Sequence, residues 1–264
     1  RNTGYAVDEL LNSEPFLKQE EAFNLCKLMA GSEGTLAFIT AIKLNLVDLP
    51  PKEQVLLCPH FNSVQEALKA VQKVMTLNPF ACELMDKLIM DCTKENAEYS
   101  KYRYFLNGDP KAILMIELRA ESKEALKIQI EEATAILNEQ TGAYDCPEIF
   151  PPNVQNVWKL RKAGLGLLAN IPGDKKAVAV IEDTAVHIDD LPEYIEEFTA
   201  MMQKHGQNAV YYAHAGAGEL HLRPILDLKK SNDVKLFEEI AWDTARLVKK
   251  YKGSLSGEHG DGRV

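Results

Sequence analysis

The chain lacks any long apolar run. Its longest uncharged apolar stretch, around Thr35 to Ile42, is less than half of the roughly 20 residues a membrane helix needs, which excludes a spanning helix of that kind. It also lacks basic blocks: Lys and Arg number 30 against 39 Asp and Glu, a formal charge of −9, which argues against nucleic acid or an anionic membrane as the main partner. Cysteine is sparse, with five residues (Cys26, Cys58, Cys82, Cys92, Cys146) and no CxxC pair, so the expectation is buried free thiols in a reducing compartment. An acidic, anchor-free chain points to the cytoplasm, with peripheral docking at the inner membrane through partners as the extension of that reading. The chain begins at Arg1 rather than Met and stops at Val264 in a Gly-rich stretch, which reads as a piece of a longer polypeptide without a visible signal peptide. What is present is ordinary globular composition, 46% hydrophobic and 26% charged over 264 residues, enough for one to two domains with a sizeable core.

The sequence Asp48-Leu49-Pro50-Pro51 separates two differently patterned regions, because consecutive prolines deny helix and strand alike. A domain boundary is placed there, giving residues 1–50 and 51–264. Before it, Leu36 to Val47 alternates and is β-rich, reading as a buried strand after the small-residue turn Gly31-Ser32-Glu33-Gly34-Thr35. After it, strands are expected at 54–58, 112–118, 177–181, 209–214 and 220–224. Helices are expected at 64–75, 121–139, 153–170, 191–204 and 233–251, the first capped by Asn62-Ser63 with Glu66 in the capping-box position. The strands half-alternate rather than being uniformly apolar, which favours an α+β domain with an antiparallel sheet covered on one side by helices. Two βαβ-like halves, roughly 54–146 and 177–256, suggest a duplicated ferredoxin-like arrangement.

Histidine carries the sharpest chemical signal. His214-Ala-Gly-Ala-Gly-Glu-Leu-His221 sets two imidazoles either side of a tight turn, which Gly216 and Gly218 supply without steric cost. Divalent ions of borderline softness take neutral imidazole plus carboxylate, and Glu258 in Ser256-Gly-Glu-His-Gly-Asp-Gly262 is the natural third ligand. A pair of structural or surface histidines is the alternative. Successive residues of an extended segment diverge, so Glu258 is read as the ligand and His259 as the acting base, an imidazole of ordinary pKa near ~6.5 removing a proton from a metal-acidified alcohol.

Gly31-Ser-Glu-Gly-Thr-Leu36, HAGAGELH and SGEHGDG, in that order, resemble the FAD-linked oxidases of the vanillyl-alcohol-oxidase superfamily, in the branch of D-lactate dehydrogenase, glycolate oxidase and D-2-hydroxyglutarate dehydrogenase. Asn2-Thr3-Gly4-Tyr5, Val180 to Val186 and His221-Leu-Arg-Pro224 extend the likeness, closest to long members with a following iron–sulfur domain. The resemblance implies the end of an FAD-binding domain over 1–50 and a substrate-binding cap domain over 51–264. It implies that His214, His221 and Glu258 hold a divalent ion, zinc first and manganese or iron otherwise, with His259 as base. Arg161, in Trp158-Lys-Leu-Arg161, would clamp the substrate carboxylate bidentately, although spacing alone makes it a helix-surface arginine. Gly31, Ser32, Gly34 and Thr35 would contact the flavin, where spacing alone gives a reverse turn. Two departures from the family's HxGDGNLH element stand out: Ala217 replaces Asp, and Glu219 replaces Asn. Glu219 is an extra ligand, a repulsion for a second carboxylate, or a partner for Arg223. Arg223 in turn either takes the distal carboxylate of a dicarboxylic substrate or is a strand-edge cation.

The activity implied is flavin-dependent oxidation of a D-2-hydroxy acid, such as D-lactate, glycolate or D-2-hydroxyglutarate, to the 2-oxo acid. Electrons then pass to a downstream acceptor: a quinone, a cytochrome or an iron–sulfur domain. These residues alone are expected to be inactive. A non-catalytic substrate- and partner-binding module and a metal-dependent hydrolase are the competing readings, since two His and one Glu also describe hydrolytic zinc sites.

Overall fold

The computed structural model describes residues 3–16, 22–94 and 96–260. Asn2 of the opening motif and Asp261-Gly262 of the closing one lie outside them. The chain divides into two compact units, Pro50–Leu255 on the one hand and Arg1–Leu49 with Ser256–Val264 on the other.

The larger unit is built on antiparallel pairing. Its strands are β1 (Glu53–Leu57), β2 (His60–Phe61), β3 (Ala81–Asp86), β4 (Ala112–Ala120), β5 (Glu148–Ile149), β6 (Lys176–Ala177), β7 (Ile181–Ala185), β8 (Ala209–His214) and β9 (Glu219–Leu226). The path through the sheet runs β5-β1-β4-β3-β8-β9-β6, with β2 on β4 and β7 on β9. In the smaller unit, α1 (Val7–Leu11) and α2 (Cys26–Met29) are short helices. The long helices are α3 (Val64–Val74), α5 (Lys123–Gln140), α6 (Val154–Leu167), α7 (Leu191–Lys204) and α8 (Ser231–Lys250), with the short α4 (Lys87–Cys92) between α3 and α5.

The order of pairing exposes the duplication. In the first half β1-α3-β3-β4-α5-β5 places its strands as β5-β1-β4-β3. In the second, β7-α7-β8-β9-α8 repeats the plan, and an isolated bridge between Ala185 and Ser254 stands where the fourth strand would be. These are two ferredoxin-like βαββαβ units. They meet edge to edge where Leu84 pairs with Ala213 and Met85 with Tyr212.

The side-chain alternation of these strands feeds two cores. Leu114, Ile116, Leu84, Leu220 and Leu222 face the cluster built with α3, α5, α7 and α8. Met85, Ile113, Met115, Val210 and Tyr212 face the opposite side and pack with α4 and α6. Full burial of each such apolar side chain contributes about 1.5–3 kcal/mol, and helices cover both faces of the sheet rather than the one side that half-alternation suggested. Local signals agree with the packing: Ser63 Oγ accepts from Glu66 N at 3.1 Å while Glu66 Oε2 accepts from Asn62 N at 3.2 Å, a reciprocal cap at the start of α3.

Two further expectations need correction. The buried strand expected over Leu36 to Val47 is not formed: Phe38 is 92% exposed and Leu46 95%. A strand needs a neighbour for its backbone groups, and the described residues of that unit carry only α1 and α2. The strand expected at 177–181 is split, with β6 ending at Ala177 and β7 beginning at Ile181. Sequence reading also passed over β3 and α4, which sit at the join between the halves.

Asp86 ties that join. Its Oδ1 accepts from Ile89 N at 3.0 Å as the N-cap of α4, and its Oδ2 accepts from Tyr211 N of β8 at 2.9 Å. Burial pushes the carboxyl up to about 6, outweighing the amides that donate to it. A carboxyl raised from 3.8 in this way favours the folded state fully below about pH 4 and loses that contribution as pH rises through about 6. Relative to Asp86→Asn, the wild-type protein is therefore expected to lose on the order of 3 kcal/mol between pH 4 and pH 7. Urea unfolding of both proteins at the two pH values measures it, and a pH-independent difference would refute the assignment.

Candidate active site

The hairpin β8–β9 brings the histidine motif together. Registry pairs His214 with Glu219 and Tyr212 with His221, so His214, Glu219 and His221 all project from one face while Leu220 and Leu222 go into the core on the other. The turn is a 3-10 step over Ala215–Ala217 closed by Gly218 at φ +71°. A Cβ on Gly218 would lie 2.1 Å from the Val186 carbonyl oxygen, so glycine is required here by contact as well as by conformation. The two imidazole rings are 5.2 Å apart and nearly perpendicular. One ligand atom from each of His214, Glu219 and His221 lies within 4.8 Å of the others, and Glu219 Oε1 is 3.9 Å from His221 Nε2.

The donor set suits a divalent ion. His221 Nδ1–H donates to the Glu182 carbonyl at 2.6 Å, and His214 Nδ1–H donates to the Glu83 carboxylate at 3.0 Å. In the neutral form of both rings this leaves Nε2 as the lone-pair nitrogen, the tautomer a metal ligand needs. Glu83 is the principal cause of a His214 pKa above the ordinary imidazole value, acting against burial. Asp183, buried on β7, also comes within 4.8 Å of His221 and enlarges the acidic surroundings.

Arg161 lies in the buried stripe of α6, with Val154, Val157, Leu160 and Gly164, and is 7% exposed. It is not the helix-surface arginine that spacing alone allowed. Its guanidinium forms an ion pair with Glu83, donates to the Ala213 carbonyl at 3.2 Å and stacks 4.2 Å from the centre of the Tyr212 ring. Nη2 makes these bonds, whereas Nε is buried with no hydrogen-bond partner among the described residues. An orphaned buried donor on a residue beside the histidine pair fits a carboxylate-binding role.

Arg223, on the same strand face, pairs with Glu182, while Glu219 stands beside His221. In the smaller unit, Gly31 and Gly34 take φ +78° and +73°, Thr35 Oγ1 donates to the Ser32 carbonyl at 2.6 Å, and a Cβ on Gly34 would meet nothing within 4 Å. The turn is open at Gly34, whereas Ser32 is buried and Thr35 Oγ1 also pairs with the Tyr5 hydroxyl at 2.8 Å. Glu258 and His259 belong to the same unit, and they do not diverge: the segment bends, and His259 Nε2 is 3.7 Å from Glu258 Oε1. Glu83 and Asp183 were missed by sequence reading. The available signal for Glu83 was an acid inside the alternating run Ala81-Cys82-Glu83-Leu84.

Comparison with known proteins decides the family. The model for FAD linked oxidases, C-terminal domain, matches residues 50–264. The chain belongs to that family. It is 32% identical to a D-2-hydroxyglutarate dehydrogenase of Haemophilus influenzae over 98% of its length and 26% of the relative's. It is 27% identical to the glycolate oxidase subunit GlcD of Escherichia coli over 91% of its length and 46% of the relative's. The chain thus spans about a quarter of the first of these relatives. A solved structure of p-cresol methylhydroxylase with substrate bound shares the fold at a TM-score of 0.52 and 11% identity, covering 78% of this chain and 45% of that one. No described helix is long and apolar enough to cross a membrane.

Gly218→Ala is expected to destabilise the protein by on the order of 3 kcal/mol, since it combines left-handed strain with a clash against backbone. Gly216→Ala, whose Cβ would lie 3.0 Å from Met75 Sδ and 3.1 Å from Cys82 Cβ but would meet no backbone atom and no left-handed strain, is expected to cost less. Chemical denaturation of the two variants compares them, and equal losses would count against the contact argument.

Proposed function

We propose that this chain is the substrate-facing part of an FAD-dependent enzyme that oxidises a D-2-hydroxy acid, such as D-lactate, glycolate or D-2-hydroxyglutarate, to the 2-oxo acid. The observation that carries the reading is the pair of imidazoles with Nε2 as lone-pair nitrogens, set beside Glu219 and next to a buried arginine with a donor to spare. The names of the relatives, a D-2-hydroxyglutarate dehydrogenase and a glycolate oxidase subunit, support the substrate class.

On this reading His214, His221 and Glu219 hold a divalent ion, zinc by preference and otherwise manganese or iron, and the sequence motif adds Glu258 to the ligands. Gly31, Ser32, Gly34 and Thr35 receive the flavin. The chemistry a bound flavin supplies is an acceptor for the C2 hydride, and that of a bound divalent ion is Lewis acidity at the hydroxyl oxygen. Arg161 binds and orients the substrate carboxylate, which fixes C2 and its hydroxyl against rotation. His259 would accept the hydroxyl proton on an imidazole nitrogen. Arg223, engaged by Glu182, is placed to select for a second carboxylate by exchanging that partner. Electrons leave to a quinone, a cytochrome or an iron–sulfur domain.

Calorimetric titration of zinc and of manganese into the FAD-loaded protein is expected to give about one ion per chain, as for a single site. His214→Ala, His221→Ala and Glu258→Ala are expected to weaken it by at least ~100-fold, and Glu219→Gln by on the order of 10-fold. In the same preparation, D-2-hydroxyglutarate or D-lactate should bleach the flavin under anaerobic conditions, and Arg161→Met should abolish bleaching. No cation binding and no bleaching would remove the proposal.

A further inference from the structure

Glu83 stands at the join of the two halves, one step along the register that pairs Leu84 with Ala213, and so faces His214. Its side chain is 14% exposed. It does two things at once. Both carboxylate oxygens lie 3.0–3.1 Å from His214 Nδ1, and one of them pairs with Arg161 Nη2. The two histidines therefore differ in what stands behind them: His221 Nδ1–H meets a neutral carbonyl, whereas His214 Nδ1–H meets a charged carboxylate already shared with the arginine. A carboxylate behind an imidazole fixes its tautomer and orientation and makes the far nitrogen a better donor.

We infer that Glu83 is a positioning residue that sets the Nδ1–H tautomer of His214, aims its Nε2 at a divalent cation, and holds Arg161 beside it. The inference rests on the reading that His214 and His221 are cation ligands, yet its first consequence, the tautomer, exists without any cation. Because the same carboxylate neutralises Arg161, the cation-binding and carboxylate-binding parts of the site share one anchor.

The test takes Glu83→Gln, which keeps an acceptor oxygen but loses the charge, and Glu83→Leu, which loses both. Two-bond nitrogen–proton NMR on the neutral ring reads which nitrogen of His214 carries the proton, and zinc titration reads affinity. Glu83→Gln is expected to keep the Nδ1–H tautomer with affinity reduced several-fold. Glu83→Leu is expected to lose that tautomer and to weaken zinc on the order of 10–100-fold. Should Glu83→Leu leave Arg161 unpaired and the fold compromised, Glu83→Leu combined with Arg161→Met removes the whole ion pair and gives the same reading of His214. His221→Ala separates the two levels. If it abolishes zinc binding while the Glu83 variants leave tautomer and affinity unchanged, Glu83 is only a counter-ion and the inference is overturned, with the metal reading intact. If His221→Ala has no effect on zinc, the metal reading fails, and the His214 tautomer in Glu83→Leu still decides the role of Glu83.

Discussion

A guanidinium on the apolar face of a helix has to be neutralised where it stands, and much of this molecule is arranged around that requirement. Arg161 sits among Val157, Leu160 and Gly164 on α6, and its charge is met by Glu83 from the sheet below. Unpaired burial of such a charge costs several kcal/mol, so the helix, β3 and β8 are bound to one relative placement. That placement also puts His214 against the same carboxylate and Tyr212 under the guanidinium. The acid–arginine pair lies at the join of two ferredoxin-like halves, so the site is a property of the duplication: neither half has both β3 and β8.

The polar cluster is compatible with the core because the two faces of the sheet are chemically unequal. One face packs four long helices and is apolar at its centre apart from buried hydroxyls such as those of Thr184 and Thr244. The other carries a smaller apolar cluster around α6 and yields the face next to it to Glu83, His214, Glu219, His221 and Arg223. Alternation along β9 switches between these environments with every residue, Leu220 and Leu222 inward to the large core and His221 between them toward the site. Backbone pairing thereby holds one nitrogen or oxygen from each of His214, Glu219 and His221 within 4.8 Å of the others.

How far this was readable in the sequence follows from how local each determinant is. The His214–His221 hairpin was legible, since Gly216, Gly218 and strand spacing act within eight residues of chain. So were the caps of α3 and the extents of α7 and β8, and with them the ferredoxin-like repeat. β3 was not: it follows Pro79-Phe80, carries Glu83 and Asp86, and owes its conformation to β4 and β8, whose partners are distant in sequence. Conversely, Leu36 to Val47 has every local mark of a strand and forms none, because pairing is supplied by neighbours rather than by propensity. Arg161 shows the same limit at the site. Spacing alone put it on the helix surface, because the acid that makes its burial tolerable lies 78 residues earlier.

The ends of the sheet have a consequence for behaviour in a crowded solution. A broad antiparallel sheet with a long open edge is a template onto which other chains can pair. Here one lateral edge is β5, two residues long and framed by Pro147 and Pro151. On the opposite side β6 is equally short, while β7 changes register against β9 and is bridged on its outer side at Ala185 by Ser254. Each edge is blunted by brevity, proline or a bulge, so the sheet that holds the site together presents little continuous backbone for a foreign strand to extend.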